Sequence, residues 1–169
     1  LFPYTTLFRS LALADRLAGG VVLPVVPDLA LASAGAEVEV RSGQIQAALT
    51  QLSILAGGNG HLALQLAQAS RTDVIDLISG QARLADIATT EGLTQVSGVW
   101  HLSRPLVIWP GAALVLSPGE VLELDTGAGA FVLSFGEVRI SDATVRGDAG
   151  TNTRVPAFRP FLLVTGQGA

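Results

Sequence analysis

The chain has 169 residues, of which 49% are hydrophobic and 14% are charged, and it contains no Cys and no Met. This length suits about one domain. The formal charge of −4 argues against a general nucleic-acid binder, which needs a basic stripe. The absence of Cys excludes disulfides and thiolate metal sites. No stretch approaches about 20 apolar residues without a charge or a proline, so no membrane span is expected.

The first ten residues, LFPYTTLFRS, match the in-frame translation of a widely used sequencing adapter. We therefore expect residues 1–10 to be an adapter-derived artefact and exclude them from the fold reasoning. With no initiator Met, we expect the natural N-terminus and any signal peptide to lie upstream. Residues 11–36 are rich in Ala, Leu and Val, but Pro24 and Pro27 prevent a continuous helix, so an extended lead-in is predicted.

Residues 37–95 predict an N-terminal cap that mixes strands and helices. Val38 and Val40 alternate with charged residues, which is typical of a short strand with one wet face. A first helix is predicted with Ser42 as its N-cap. Its buried face carries apolar residues at helical spacing, namely Ile45, Ala48, Leu49, Leu52 and Leu55.

The rest of the cap follows a turn at residues 57–60. A second helix is predicted to begin at Asn59 and to place three apolar residues on one side, namely Leu62, Leu66 and Ala69. The β-branched residues of 74–78 predict a strand that ends at Ser79 and Gly80. Residues 83–88 predict a short helical turn.

From residue 96 onward, short apolar segments alternate with turns that are rich in Gly, Pro, Ser and Asp. Seven strands are predicted, at residues 99–102, 106–109, 113–116, 121–124, 131–134, 138–140 and 144–146. A hairpin sandwich is the usual structure for such spacing, but the segments also repeat. Three successive segments recur together at a nearly constant offset, with Leu106 matching Phe131, Leu114 matching Val138, and Val121 matching Val145.

A fourth match, Phe131 with Phe161, has a longer offset, so the extra residues are predicted to loop out at 147–156. Three short strands per repeat predict a parallel β-helix, whose coils stack about 4.8 Å apart. The expected fold class is mainly β. It comprises an N-terminal α/β cap and, at residues 96–169, the first two or three coils of a right-handed parallel β-helix that is truncated at its C-terminal end.

Two segments carry a family resemblance. GAFVLSFGEVRISDATVRG at residues 129–147 and AFRPFLL at residues 157–163 resemble the N-terminal coils of the periplasmic mannuronan C-5-epimerases. RPLVIWPGAALVL at residues 104–116 is similar to the coil before them. The sequence departs from the family pattern at residues 164–168, and it has Ser134 or Phe135 where the family often has Asn. These departures leave room for a sister group with another substrate or no activity.

The resemblance implies an exported protein, periplasmic or extracellular, that removes and returns the C5 proton of uronate units in alginate. It implies polymannuronate as the ligand, a periplasmic polysaccharide-export assembly as a partner, and no cofactor. The Asp-Pro-His-Asp motif of the family does not occur here, so we expect no catalytic residues and an inactive chain. A polysaccharide lyase-type β-helix enzyme and a non-catalytic β-helix surface or adhesion module remain open alternatives.

The candidate substrate-binding residues are Arg104, Arg146 and Arg159, because a guanidinium group binds carboxylates through a fork of donors. Solvated or backbone-binding roles are the ordinary alternatives for all three. The only histidines are His61 and His101, and neither has a second His or a carboxylate at ligand spacing, so no metal site is expected. Surface or capping roles are expected for three acidic residues, namely Asp73, Asp76 and Asp86.

Overall fold

The computed structural model describes residues 37–56, 61–68, 73–88 and 90–165. The adapter-like residues, the lead-in at 11–36 and the turn at 57–60 lie outside this part of the chain. The described elements, in chain order, are β1 (Glu39–Gln44), α1 (Ile45–Ala56), α2 (His61–Ala67), β2 (Asp73–Arg83), α3 (Leu84–Ile87), β3 (Leu93–Val96), β4 (Val99–Leu102), β5 (Leu106–Ile108), β6 (Ala112–Leu116), β7 (Val121–Leu124), β8 (Val132–Ser134), β9 (Glu137–Ile140), β10 (Thr144–Gly147) and β11 (Leu162–Val164).

The first helix, α1, buries the face that its apolar spacing predicts, since Ile45, Ala48, Leu49 and Leu52 are all buried. The prediction of its N-cap is wrong. Ser42 lies inside β1 and pairs with Ile75 of β2. Because the β1 ladder continues to Gln44, strand pairing rather than a side-chain cap determines where the helix begins.

The prediction that Leu66 lies on the buried side of the second helix, α2, is wrong, whereas Asn59, the side chain of Leu62 and Ala69 lie outside what the structure describes. Leu66 is 65% exposed, whereas Leu64 packs partly buried against the core and Ala67 is fully buried. Gln68, directly after the helix, is also buried. The buried stripe of α2 therefore follows residues 64, 67 and 68, because this side of the helix meets a turn of the coils.

The strands form three sheets that run along one stack. In the first sheet, the first half of β2 pairs in parallel with β5, then β8 and β11 follow, while β1 pairs antiparallel with the other edge of β2. In the second sheet, the second half of β2 pairs with β6, and β6 pairs with β9. In the third sheet, β4, β7 and β10 are parallel and β3 is antiparallel to β4.

The chain visits the three sheets in turn, which makes each circuit one coil. One full coil comprises β5, β6 and β7, the next comprises β8, β9 and β10, and β11 returns to the first sheet. The first-sheet strand of each coil lies beside that of the previous coil. The predicted parallel β-helix with an α/β cap is therefore confirmed.

Two hydrophobic clusters hold this architecture. Inside the coils, residues from all three sheets meet, among them Leu106, Leu114 and Leu122. On the outer face of the first sheet, α1 packs over a second cluster that includes Val107 and Phe131. The first sheet is thus buried on both faces, as parallel sheets usually are. Full burial of each large apolar side chain contributes about 1.5–3 kcal/mol.

The strand predicted to end at Ser79 and Gly80 continues to Arg83, so that prediction is wrong. Gly80 has a φ of +78°, a backbone conformation that residues with a side chain rarely adopt. Before this glycine β2 pairs with β5, and from Gly80 onward it pairs with β6. The glycine is therefore a corner between two sheets within one strand. The helical turn predicted at residues 83–88 is present as α3.

Two of the four predicted repeat matches are confirmed. Leu114 pairs with Val138, as the recurrence of their segments predicts. Val132 pairs with Leu162, in the same register as the predicted match of Phe131 with Phe161. The rings of Phe131 and Phe161 accordingly stack, with centroids 5.0 Å apart and planes inclined by 9°.

The other two matches are one residue out of register. Leu106 pairs with Val132 rather than Phe131, and Val121 pairs with Thr144 rather than Val145. A slip of one residue moves a side chain to the opposite face of its strand. The first sheet is apolar on both faces, so hydrophobicity alone could not distinguish the two registers of Leu106. In the third sheet, the observed register places Val145 opposite the inward-facing Leu122, which the match of Val121 with Val145 overlooked.

Candidate functional site

The turn that leads from the third sheet back to the first grows longer from coil to coil. It spans residues 103–105 after β4, 125–131 after β7 and 148–161 after β10. Most of the stretch predicted to loop out, 147–156, falls in the longest of these turns. Because binding sites form preferentially in loops carried on a rigid scaffold, this corner is a candidate binding site.

A cleft of about 320 Å³ opens at this corner. It is lined by Thr126 from one coil and by residues 147–151, Arg159 and Pro160 from the next. Its volume lies at the small end of the range for ligand pockets. The lining is mainly polar and carries both an acidic and a basic side chain.

The acidic side chain of the cleft is Asp148. Its Oδ1 atom accepts hydrogen bonds from the backbone N–H of Thr126 at 3.0 Å and from that of Gly150 at 3.1 Å. Hydrogen bonding by Thr126 is the largest of the effects that hold the pKa of Asp148 below its ordinary value, ahead of the Gly150 amide and the charge of His101. Asp148 is therefore an ionised acceptor at neutral pH.

The basic side chain of the cleft is Arg159, one of the three predicted arginines. It is solvent-exposed, and its Nη1 donates to the carbonyl oxygens of Pro156 at 3.0 Å and Phe158 at 2.7 Å. None of the ion pairs formed among the described residues includes Arg159. Backbone contacts thus hold its guanidinium in place, and it forms no direct ion pair with a described carboxylate, although the ionised Asp148 lines the same cleft.

The other two predicted arginines are paired with glutamates. The side chain of Arg104 is only 8% exposed, and its Nη2 lies 2.8 Å from Oε2 of Glu91. Arg146 is exposed, and its Nη2 and Nε both lie 2.9 Å from Oε2 of Glu123. Neither residue lines the cleft, although Arg146 directly precedes it in the chain.

Coil stacking gives His101 a neighbour that sequence spacing could not reveal. His101, Glu123 and Arg146 occupy matching positions on β4, β7 and β10, so they form one row across the third sheet. The Nδ1 atom of His101 lies 3.2 Å from Oε1 of Glu123. Sequence spacing did not indicate this contact, because stacking brings together residues that lie 22 positions apart in the chain. The side chain of His61 lies outside what the structure describes.

Asn152 is a buried residue of the corner that the sequence did not single out. It is fully buried, and its side chain contacts three separate segments of the chain. A lone Asn in a Gly-rich and Thr-rich stretch is typical of an ordinary loop. The sequence does offer a signal for Asp148, because Asp two residues before Gly is typical of a turn in which the carboxylate accepts the later N–H.

Asp76 is another buried polar side chain with an unpredicted role. It is 5% exposed, and its Oδ1 accepts a hydrogen bond from Nε1 of Trp109 at 2.8 Å. Burial raises the pKa of Asp76, against the opposing effects of the Trp109 hydrogen bond and the Arg41 charge. The predicted surface or capping role is wrong for Asp76. It is right for Asp86, whose carboxylate accepts from the N–H of Arg83 at the start of α3.

Three parallel sheets joined coil by coil, with a helical cap over one face, define this protein as a parallel β-helix with a polar cleft at one corner. No family model matches the sequence, and no curated protein matches it.

Among solved structures, the chain is similar to the crystal structure of the periplasmic alginate epimerase AlgG, with a TM-score of 0.58 and 23% identity over 84% of this chain. Two substituted forms of AlgG match over the same share of the chain, with TM-scores of 0.59 and 0.55 and identities of 23% and 22%. The chain spans 38% of the length of these structures. At this level of identity, the likeness establishes a shared fold.

The described residues contain no helix that is long and apolar enough to cross a membrane. They also contain no group of three or more His, Asp or Glu side chains placed to hold a metal ion.

Proposed function

We propose that this chain belongs to an exported β-helix protein that binds and modifies an anionic uronate polysaccharide of the alginate type. The proposal rests on the position of Arg159. It presents a guanidinium without a carboxylate partner among the described residues, in a cleft of a fold shared with an alginate epimerase. A guanidinium in a fixed position forms strong, charge-assisted hydrogen bonds with a carboxylate ligand.

The three arginines have different roles in this proposal. Arg159 contacts a uronate carboxylate directly, since its charge is available and it lines the cleft. Arg146 makes no contact with the ligand in this proposal, because it does not line the cleft and Glu123 already balances its charge. Arg104 supports the coil from within, because its guanidinium is enclosed and paired with Glu91.

The chemistry of the cleft favours binding over catalysis. Removal of the C5 proton of a uronate needs neutralisation of the adjacent carboxylate, with a base and an acid on opposite faces of the ring. Arg159 supplies the first requirement. Apart from Asp148, whose carboxylate already binds backbone amides, the described lining has no acid or base. We therefore propose that these 169 residues alone bind the polysaccharide without epimerising it.

The proposal extends to location and partners. The solved structures similar to this chain are of a periplasmic enzyme, and a protein that modifies an exported polysaccharide has to meet its substrate outside the cytoplasm. We propose the periplasm or the extracellular space as its location. A polysaccharide-export assembly is the proposed neighbour.

Calorimetric titration with a mannuronate oligosaccharide tests the proposal. We expect the wild-type chain to bind this ligand and Arg159→Ala to bind it about tenfold or more weakly, because a hydrogen bond to a charged group contributes about 1.5–3 kcal/mol. Arg146→Ala is the matched control. It removes another exposed arginine but one whose charge is already balanced, so the affinity should change less than about threefold.

A neutral mannose oligosaccharide is the control ligand. Equal binding of the neutral and the anionic sugar, or no binding of either, would contradict the proposal. Proton NMR of the same mixtures in D₂O tests the chemistry. The proposal predicts no exchange at C5, whereas exchange would show that the chain is an epimerase by itself and an unsaturated product would show a lyase.

A further inference from the structure

We infer that Asn152 is a positioning residue that joins the two walls of the cleft and ties them to the helical cap. The inference rests on the proposed function, because it concerns the same cleft. Asn152 is fully buried, and both ends of its side-chain amide are hydrogen-bonded. It does not line the cleft, so any effect on a ligand has to pass through its neighbours.

The donor end of the amide holds the wall that contains Thr126. The Nδ2 atom of Asn152 lies 3.2 Å from the carbonyl oxygen of Thr126 and 3.3 Å from that of Gly127. The N–H of the same Thr126 donates to the carboxylate of Asp148 at 3.0 Å. Asn152 therefore fixes the turn whose backbone orients the acidic group of the cleft.

The acceptor end of the amide holds the wall that contains Arg159. The Oδ1 atom of Asn152 accepts from the N–H of Arg154 at 3.1 Å and from that of Val155 at 2.8 Å. The carbonyl of Val155 in turn accepts from the N–H of Phe158 at 2.7 Å, which closes a tight turn. The carbonyls of Phe158 and of Pro156, within this turn, are the groups that hold the Arg159 guanidinium.

The same side chain reaches the cap. Its Nδ2 donates to the carbonyl oxygen of Ala67, the last residue of α2, at 2.6 Å. Carbonyl groups at a helix C-terminus have no partner within the helix, so this bond satisfies one of them. Two further bonds join the same parts, from Arg154 Nη1 to the Gln68 carbonyl at 2.8 Å and from Gln68 Nε2 to the Gly129 carbonyl at 2.9 Å.

The cap does not line the cleft, but its hydrogen bonds hold the two turns that form the cleft. An amide at position 152 is needed because one side chain has to donate to carbonyls on one side and accept from N–H groups on the other. Aspartate keeps the acceptor and loses the donor, and alanine loses both.

The test compares Asn152→Ala and Asn152→Asp with a variant that is destabilised elsewhere. Leu116→Ala serves as this control, because Leu116 is fully buried in the second sheet and does not line the cleft. At a temperature where all the variants are folded, the affinity for a mannuronate oligosaccharide should fall about tenfold or more in both Asn152 variants. It should stay within about threefold of wild type in Leu116→Ala, although this variant melts at a lower temperature.

Amide hydrogen exchange gives a second measurement that needs no ligand. Exchange at residues 126–130 and 154–158 should accelerate in the Asn152 variants by more than exchange in the rest of the β-helix, whereas Leu116→Ala should show no selective acceleration at these residues. Wild-type affinity in Asn152→Ala, or equal losses in the control, would overturn the inference. If the wild-type chain binds no mannuronate, the proposed function fails and hydrogen exchange alone decides whether Asn152 positions the cleft.

Discussion

Single polar side chains in this protein have roles that depend on partners far away in the sequence. Asp76 and Trp109 are 33 residues apart and form a partly buried hydrogen bond. Asn152 and Ala67 are 85 residues apart. No local pattern marks such residues, because an Asp or an Asn with the same neighbours is solvated in most loops and strands. The cation of the cleft was among the three arginines that the sequence suggested, because the fork geometry of arginine suits carboxylates.

We predict that Asp76 makes the stability of the protein depend on pH. Burial raises its pKa above the ordinary value of 3.8. The ionised form of Asp76 therefore destabilises the folded protein at neutral pH. This destabilisation disappears as the pH falls through the folded-state pKa towards 3.8, because the carboxyl group becomes protonated. Asp76→Asn keeps an oxygen acceptor for Trp109 and does not titrate. Relative to wild type, we expect this variant to be most favoured at neutral pH and to lose its advantage as the pH falls.

Urea unfolding at a series of pH values measures this difference in the free energy of unfolding. A difference that stays constant between neutral and acidic pH, or grows as the pH falls, would show that Asp76 does not titrate with a raised pKa in the folded protein. Asp142→Asn is a suitable control, because Asp142 is exposed.

At the scale of elements, the sequence predicted the positions of the strands better than the register in which they pair. Each of the seven strands predicted after residue 96 is present, because Gly, Pro, Ser and Asp delimit the apolar segments. Strand β3 was not predicted, since Thr94 and Gln95 interrupt its apolar residues. A signal was present: Ser97 and Gly98, with φ of +51° and +82°, form a two-residue turn of the kind that joins hairpin strands.

Close stacking of the coils leaves no room for a side chain at Gly136, in the corner between the first and second sheets. A Cβ atom on Gly136 would lie 2.4 Å from the carbonyl oxygen of Trp109 and 2.5 Å from that of Ala112. Gly136→Ala should therefore lower the free energy of unfolding by about 1–3 kcal/mol or more, because the backbone of the coil has to move.

Gly127→Ala is the comparison for this prediction. Its Cβ would meet only a side-chain oxygen of Asp125 at 3.3 Å and a backbone oxygen of Thr151 at 3.9 Å. We expect a change of less than about 1 kcal/mol. Equal stabilities of the two variants in chemical denaturation would show that the coils are not packed this closely at the Gly136 corner.

At the scale of the whole molecule, the sequence predicted the architecture and the position of the extra loop. The recurrence of apolar segments was sufficient for a β-helix, because stacked coils repeat their inward side chains. The cleft could not be predicted. It forms where two turns of unequal length and the end of α2 meet, and that meeting depends on contacts between segments that are distant in the sequence.

The central claim is that the corner cleft around Arg159 binds a uronate polysaccharide. Amide chemical-shift mapping of the ¹⁵N-labelled chain with a mannuronate oligosaccharide tests it most directly, because the shifts locate the ligand. We predict that the largest changes fall on the cleft residues, namely Thr126, residues 147–151 and Arg159. Shifts centred on another surface, such as the row of His101, Glu123 and Arg146, or no shifts at all, would contradict the claim.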